Sequence, residues 1–204
     1  MDGDTQPLRP QRRNRTGRLS QLDPGLGSPL EAALAQRDGG TLAMVERALD
    51  RGDTKLAFQP AMRADGTGAL FYEGLIRVLD DTGRIIPARD FMGNVEERDL
   101  GRRIDCASLV TGLRTLKANP GLRLAINMSA RSIGYPRWMG ILRRFSRNHP
   151  DAVERLILEI TESSAMQMPE IVTVFMEELR AKGVTFALDD FGAGSTAFRH
   201  LKHF

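Results

Sequence analysis

Four positions in this 204-residue sequence place an oxygen-bearing side chain just after a short apolar run. They are Glu73 in Ala69-Leu-Phe-Tyr-Glu, Asn127 in Leu124-Ala-Ile-Asn, Glu159 in Leu156-Ile-Leu-Glu, and Asp189 with Asp190 in Phe186-Ala-Leu-Asp-Asp. Oxygen-only donors suit a hard divalent cation, magnesium or manganese rather than zinc or copper. Ions held this way polarise a phosphodiester and acidify a water for in-line attack. At the fraying end of a strand, the adjacent acids Asp189 and Asp190 can both turn toward one mouth. Metal-assisted hydrolysis, of which phosphodiester cleavage is one case, is a chemistry this set would suit.

Such side chains need a scaffold that brings four distant segments to one rim. Apolar runs alternating with helical stretches read as buried parallel strands whose C-terminal ends carry the polar groups. Leu42, Val45 and Leu49 predict a helix over 40–51, ended by Gly52. Strands follow at 56–62 and 68–78, joined by the turn signal Arg63-Ala-Asp-Gly as a hairpin. Ile104, Leu109, Val110, Leu113 and Leu116 mark a helix that ends before Pro120. Strands at 122–128, 156–161 and 184–188 are separated by helices around 138–145 and 171–179. From the third strand on, this is the alternation of a β/α barrel. The expected fold class is α/β, a partial TIM-like barrel of about five of eight strands, preceded by a helix and a disordered tail.

Composition narrows the function classes. Lysine and arginine total 29 against 26 acids. The excess lies in the first nineteen residues, where five arginines meet two aspartates, so the body is close to neutral. A neutral body argues against a nucleic-acid-binding domain. Cys106 is the only cysteine, which excludes an intramolecular disulfide and a cysteine zinc site and fits a reducing cytoplasm. No apolar run is long enough to span a bilayer. Residues 1–29 read as a disordered basic leader and 30–54 as a helical lead-in. His200, His203, Trp138 and the methionines carry no ligand spacing.

Taken together, Gln59-Pro60, Glu73-Gly-Leu-Ile-Arg77, Asn127-Met-Ser129, Glu159-Ile-Thr-Glu162 and Asp189-Asp-Phe-Gly-Ala-Gly194 resemble, in order and approximate spacing, the EAL domain, the bacterial cyclic di-GMP phosphodiesterase family. The resemblance covers 55–204 and about the N-terminal three-fifths of such a domain. It implies a β/α barrel whose first strand runs antiparallel to the rest, with Mg2+ or Mn2+ at the C-terminal mouth. It also implies hydrolysis of cyclic di-GMP to pGpG by metal-activated water. By matching position, Glu73, Asn127, Glu159 and Asp189 correspond to ligands of a first metal and Asp190 to a ligand of a second. Glu73, Asp189 and Asp190 would thus be the catalytic residues of this segment. Arg77 and Gln59 correspond to substrate contacts, and Glu162 to a residue that positions the loop after the fifth strand.

Departures from the family pattern set further expectations. Gly74 stands where the signature triplet has alanine, and Ser195-Thr-Ala where tyrosine and two serines are usual. The family's downstream lysine, glutamate and glutamine fall beyond Phe204, so little turnover is expected of these 204 residues alone. An unclosed sheet leaves two edges, so a homodimer or other oligomer is expected. Two other readings stay open: a non-catalytic cyclic di-GMP or protein-binding signalling module, and an assembly fragment that completes a barrel with another chain.

Overall fold

The structure, a computed structural model, describes residues 28–95 and 98–190. The expected disorder of the leader up to residue 27, and the loop carrying Ser195, lie outside the described residues. Two compact units are distinguished, Met1–Arg37 and Asp38–Phe204.

In the first unit, residues 28–37 open helix α1 (Pro29–Arg51). Ser28 N donates to Glu31 Oε2 at 2.7 Å and Glu31 N donates to Ser28 Oγ at 3.2 Å, a capping box with Pro29 at the first helical position. The helix therefore begins eleven residues before the expected Gly40, because a good cap outweighs the poor propensity of Gly39-Gly40.

In the second unit, α1 buries Val45 and Ala48 and stops at Gly52, whose φ of 76° only glycine adopts freely. Strands β1 (Thr54–Met62) and β2 (Ala69–Leu79) form the anticipated antiparallel hairpin, with Gln59 opposite Glu73. A two-residue strand β3 (Ile85–Ile86), not anticipated, adds to the end of β2. Beyond it come α2 (Met92–Val95), α3 (Asp99–Ala118), β4 (Leu124–Asn127), α4 (Pro136–Asn148), α5 (Pro150–Val153), β5 (Leu156–Thr161), α6 (Glu162–Gln167), α7 (Pro169–Arg180) and β6 (Thr185–Asp189).

The sheet order is β1-β2-β4-β5-β6, with β2, β4, β5 and β6 mutually parallel and β1 antiparallel to its neighbour. This is the partial β/α barrel expected, with five long strands and the short β3. Leu124, Ile126, Leu156 and Leu158 are buried against Leu109 and Leu113 of α3, Trp138 of α4 and Phe175 of α7. A second cluster joins Val45, Val78, Ile86, Phe91, Val95 and Ile104.

Two contacts fix α3 on β4. A Cβ at Gly112 would lie 2.0 Å from Ile126 Cδ1, so only glycine permits this approach. At the opposite end of the strand, the Arg155 guanidinium donates to the carbonyls of Leu116, Asn119, Leu122 and Asp151 at 2.8–3.2 Å. That fork ties the end of α3 and the approach to β4 to the start of β5. Among the described residues, no helix is long and apolar enough to cross a membrane.

Candidate functional site

Register alone determines which face the polar residues share. Gln59 faces Glu73, Glu73 faces Ala125, Asn127 faces Glu159, Glu159 faces Ala187, and Thr161 faces Asp189. Strand side chains alternate with a period of two. Asn127 is two residues beyond Ala125, Asp189 two beyond Ala187 and Arg77 four beyond Glu73, so all these steps are even. Gln59, Glu73, Arg77, Asn127, Glu159 and Asp189 therefore occupy one face of the sheet. The even stagger from strand to strand is what barrel curvature requires.

Within that row the geometry is specific. Asn127 Nδ2 donates to Glu73 Oε1 at 2.7 Å across the β2–β4 pair. Glu159 Oε2 is buried with no hydrogen-bond partner among the described residues. Burial pushes the Glu159 carboxyl up from its ordinary 4.5 to about 7, and the charges of Glu73 and Asp189 add to the shift. Asp189 ends β6 and is exposed, and its Oδ1 accepts from Asp190 N at 2.9 Å. Asp190 has φ of 53°, in the left-handed region that aspartate tolerates better than most residues. That turn takes Asp190 out of the strand alternation.

The Arg77 guanidinium donates to the Ile76 carbonyl at 3.0 Å. Its nearby acids are engaged elsewhere. Asp80 accepts from Thr82 and from the Arg84 amide, and Asp81 pairs with Arg51 at 2.6 Å and with Arg47 at 3.7 Å. Arg77 and Asn127 both line a cavity of about 320 Å³ bounded by the ends of β2, β4 and β5 and by α2 and α3. Glu73, Glu159 and Asp189 do not line it; Asn127, which does, is bonded to Glu73. Gln59 is exposed on β1, and Glu162 is buried at the start of α6.

Do these residues fit a divalent cation? The donors are hard oxygens, the charges of Glu73 and Asp189 act on Glu159, and among the described residues one buried carboxylate oxygen is orphaned. Kind and charge fit. Among the described residues, no three His, Cys, Asp or Glu side chains stand close enough to share one ion as they are.

Gly74, beside Glu73, packs tightly. A Cβ there would approach Leu56 Cδ1 at 3.2 Å and both Leu124 Cδ1 and the Ala125 carbonyl at 3.3 Å. The missing methyl therefore lets β2 lie close to its neighbours.

Sequence reasoning passed over Asp105. Its Oδ2 accepts from Ser129 N at 3.0 Å and from Ser132 Oγ at 2.6 Å, just beyond Asn127. A signal was present: Asp105, Leu109, Gly112 and Leu116 follow at i, i+4, i+7 and i+11, which sets an acid in the middle of the buried arc of α3.

Comparison with known proteins identifies the family and the fold. The family model described as "EAL domain" matches residues 42–204. A probable cyclic di-GMP phosphodiesterase, PdeA of Escherichia coli, is 32% identical over 79% of this chain and 22% of its own length. A bifunctional diguanylate cyclase/cyclic di-GMP phosphodiesterase, MucR of Pseudomonas aeruginosa, is 28% identical over 83% of this chain and 26% of its own. The chain thus spans about a quarter or less of the length of these curated relatives. The crystal structure of the Xanthomonas citri FimX EAL domain in complex with c-diGMP superposes with a TM-score of 0.72 at 23% identity, over 85% of this chain and 69% of that one. With the family model matching most of its length and a fold shared with solved EAL domains, this chain belongs to the EAL domain family.

Proposed function

We propose that the row from Gln59 to Asp190 is part of a site that binds and hydrolyses cyclic di-GMP. The observation that carries this reading is the buried, unpartnered Glu159 Oε2 next to the Asn127–Glu73 pair, an arrangement that calls for a cation. Glu73, Asn127, Glu159 and Asp189 would hold one ion and Asp190 would contribute to a second, with Mg2+ or Mn2+ matching oxygen donors. The chemistry such ions supply is Lewis-acid polarisation of the phosphodiester and a lowered water pKa.

The chain's own residues do the rest. Arg77, without a carboxylate partner among the described residues and lining the cavity, offers a guanidinium fork to a phosphate of the dinucleotide. Asn127 orients Glu73 through its amide and keeps its own Oδ1 as an acceptor. Glu159, titrating near neutrality, gives up its proton when positive charge enters the site. Gln59, opposite Glu73, reaches the substrate from β1, and Glu162 anchors the segment after β5. The relatives' activity as phosphodiesterases supports the substrate class.

The test combines calorimetric titration of cyclic di-GMP with chromatographic detection of pGpG in Mg2+ or Mn2+. Binding that falls at least tenfold in Arg77→Ala is expected. Unchanged binding in Arg77→Ala, Asn127→Ala and Glu159→Gln would overturn the site.

One observation favours a second reading, a non-hydrolysing cyclic di-GMP receptor: no three acids among the described residues are gathered for one ion. Binding without pGpG from a protein extended through the downstream segment of the family would select it. Self-association is part of the proposal, and sedimentation velocity tests it: a single monomer species across concentrations would remove it.

A further inference from the structure

We propose that Asp105 on α3 is a positioning residue that holds Asn127, and through it the carboxylate rim, in place. The inference rests on the cation-site reading of that rim, and it begins with the segment that follows Asn127.

All five amides from Met128 to Ser132 are engaged. Met128 N donates to the Glu159 carbonyl at 2.8 Å, and Ser129 N to Asp105 Oδ2 at 3.0 Å. Ala130 N donates to Ser164 Oγ at 3.0 Å and Arg131 N to Ser129 Oγ at 3.2 Å. Ser132 N donates to the Ser129 carbonyl at 2.9 Å. The Ser132 hydroxyl, on a fully buried residue, donates to the same Asp105 Oδ2 at 2.6 Å. Two donors three residues apart thus converge on one carboxylate oxygen, and they bracket the 3-10 turn Ala130–Ser132. Hydrogen bonds to a charged acceptor are the stronger kind, so this oxygen is the firmest anchor of the segment.

The anchor itself sits on a packed helix face. Asp105 stands in the arc of α3 that buries Leu109, Gly112 and Leu116. Gly112 rests on Ile126, the residue before Asn127, so the distance from α3 to the end of β4 is set by backbone packing. From the other side, Ser164 accepts from Ala130 N while its own amide donates to Thr161 Oγ1, which joins the ends of β4 and β5. Asn127 is the last residue of β4, two before Ser129. Freeing Ser129 lets the strand end rotate, and the 2.7 Å amide contact with Glu73 is what such a rotation breaks. Sites of this kind tolerate about 0.5 Å of misplacement.

The test uses the full 204-residue chain and Mn2+ as the probe, with free Mn2+ followed by its paramagnetic resonance signal. Asp105→Ala and Asn127→Ala are each expected to weaken Mn2+ binding about 10–100-fold. The double variant should be no weaker than Asn127→Ala, because one change acts through the other. In metal-free, nitrogen-labelled protein, Asp105→Ala should also shift or broaden the side-chain amide resonances of Asn127. Wild-type Mn2+ affinity in Asp105→Ala, full additivity in the double variant, or unmoved Asn127 resonances would each overturn the inference. Should Asn127→Ala and Glu159→Gln both bind Mn2+ like the wild type, the cation reading fails instead, and the Asn127 resonances alone decide the positioning claim. If Asp105→Ala does not melt cooperatively, Ser132→Ala takes its place. It removes only the 2.6 Å contact and should weaken Mn2+ binding several-fold and move the same resonances, and no change in either would overturn the inference.

Discussion

The side-chain amide of Asn127 donates to the carboxylate of Glu73 at 2.7 Å, linking residues 54 positions apart at the centre of the parallel sheet. An amide serves here as a carboxylate could not. It supplies a donor to an acid whose charge already acts on Glu159, where a further negative charge would have to be neutralised.

Asn127→Asp is therefore expected to destabilise the cation-free protein by roughly 1–3 kcal/mol at pH 8, where the new carboxylate faces Glu73 without a proton between them. The loss should shrink at pH 5 and in millimolar Mg2+. Chemical denaturation under the three conditions measures it, and equal loss in all three would show that charge is not the cause.

Glu159 predicts a stability profile of unusual sign. Its carboxyl titrates near 7 when folded and near 4.5 when free, so between these values the folded state binds more protons than the unfolded one. Stability from this group is then fully present below about 4.5 and is lost as pH rises through about 7. Melting temperatures of cation-free protein should fall from pH 5 to pH 8, and Glu159→Gln should flatten that slope. A wild-type slope retained in Glu159→Gln would assign it to another group.

Gly112→Ala should cost about 1–3 kcal/mol, the usual range for overpacking a filled core. The added methyl falls 2.0 Å from Ile126 Cδ1, and Ile126 is itself buried and bordered by packed strands. Ile126→Val in the same chain, which deletes that terminal methyl, should restore part of the loss. Urea denaturation of the three variants reads this, and additive losses would show that the two side chains do not meet.

Arg155→Met retains the apolar stem but removes the guanidinium donor from the carbonyls of Leu116 and Leu122 and one of the two donors to Asn119, which keeps the Leu122 amide. A loss of roughly 2–4 kcal/mol is expected, from several hydrogen bonds at about 1 kcal/mol each with desolvation added. Arg155→Lys should recover little, since a point charge cannot reach several carbonyls in fork geometry. Full recovery by lysine would reduce the role of Arg155 to its charge.

Much of this architecture was legible in the sequence. Short apolar runs with polar ends located β2, β4, β5 and β6 within a few residues, because a buried parallel strand needs an unbroken apolar stretch. Gly52 and Gly183 marked helix ends, and their φ values of 76° and 89° show why glycine stands there. The spacing of Leu42, Val45 and Leu49 placed the helix only from residue 40, although Ser28 and Glu31 spell a capping box at its true start within the 30–54 lead-in. The brief helices α5 and α6 left no periodic trace, because four to six residues do not complete two turns.

The sequence by itself determined the kind of chemistry: oxygen donors at strand ends, a near-neutral body and one arginine at i+4 from Glu73. Tertiary structure alone decided how those donors meet. Their common face follows from an even register offset between neighbouring strands, and register is a property of pairs of strands that no single run contains. The orphaned Glu159 oxygen and the Asp105 anchor likewise arise from what packs around them, since burial and hydrogen bonding depend on partners brought from 24 or more residues away.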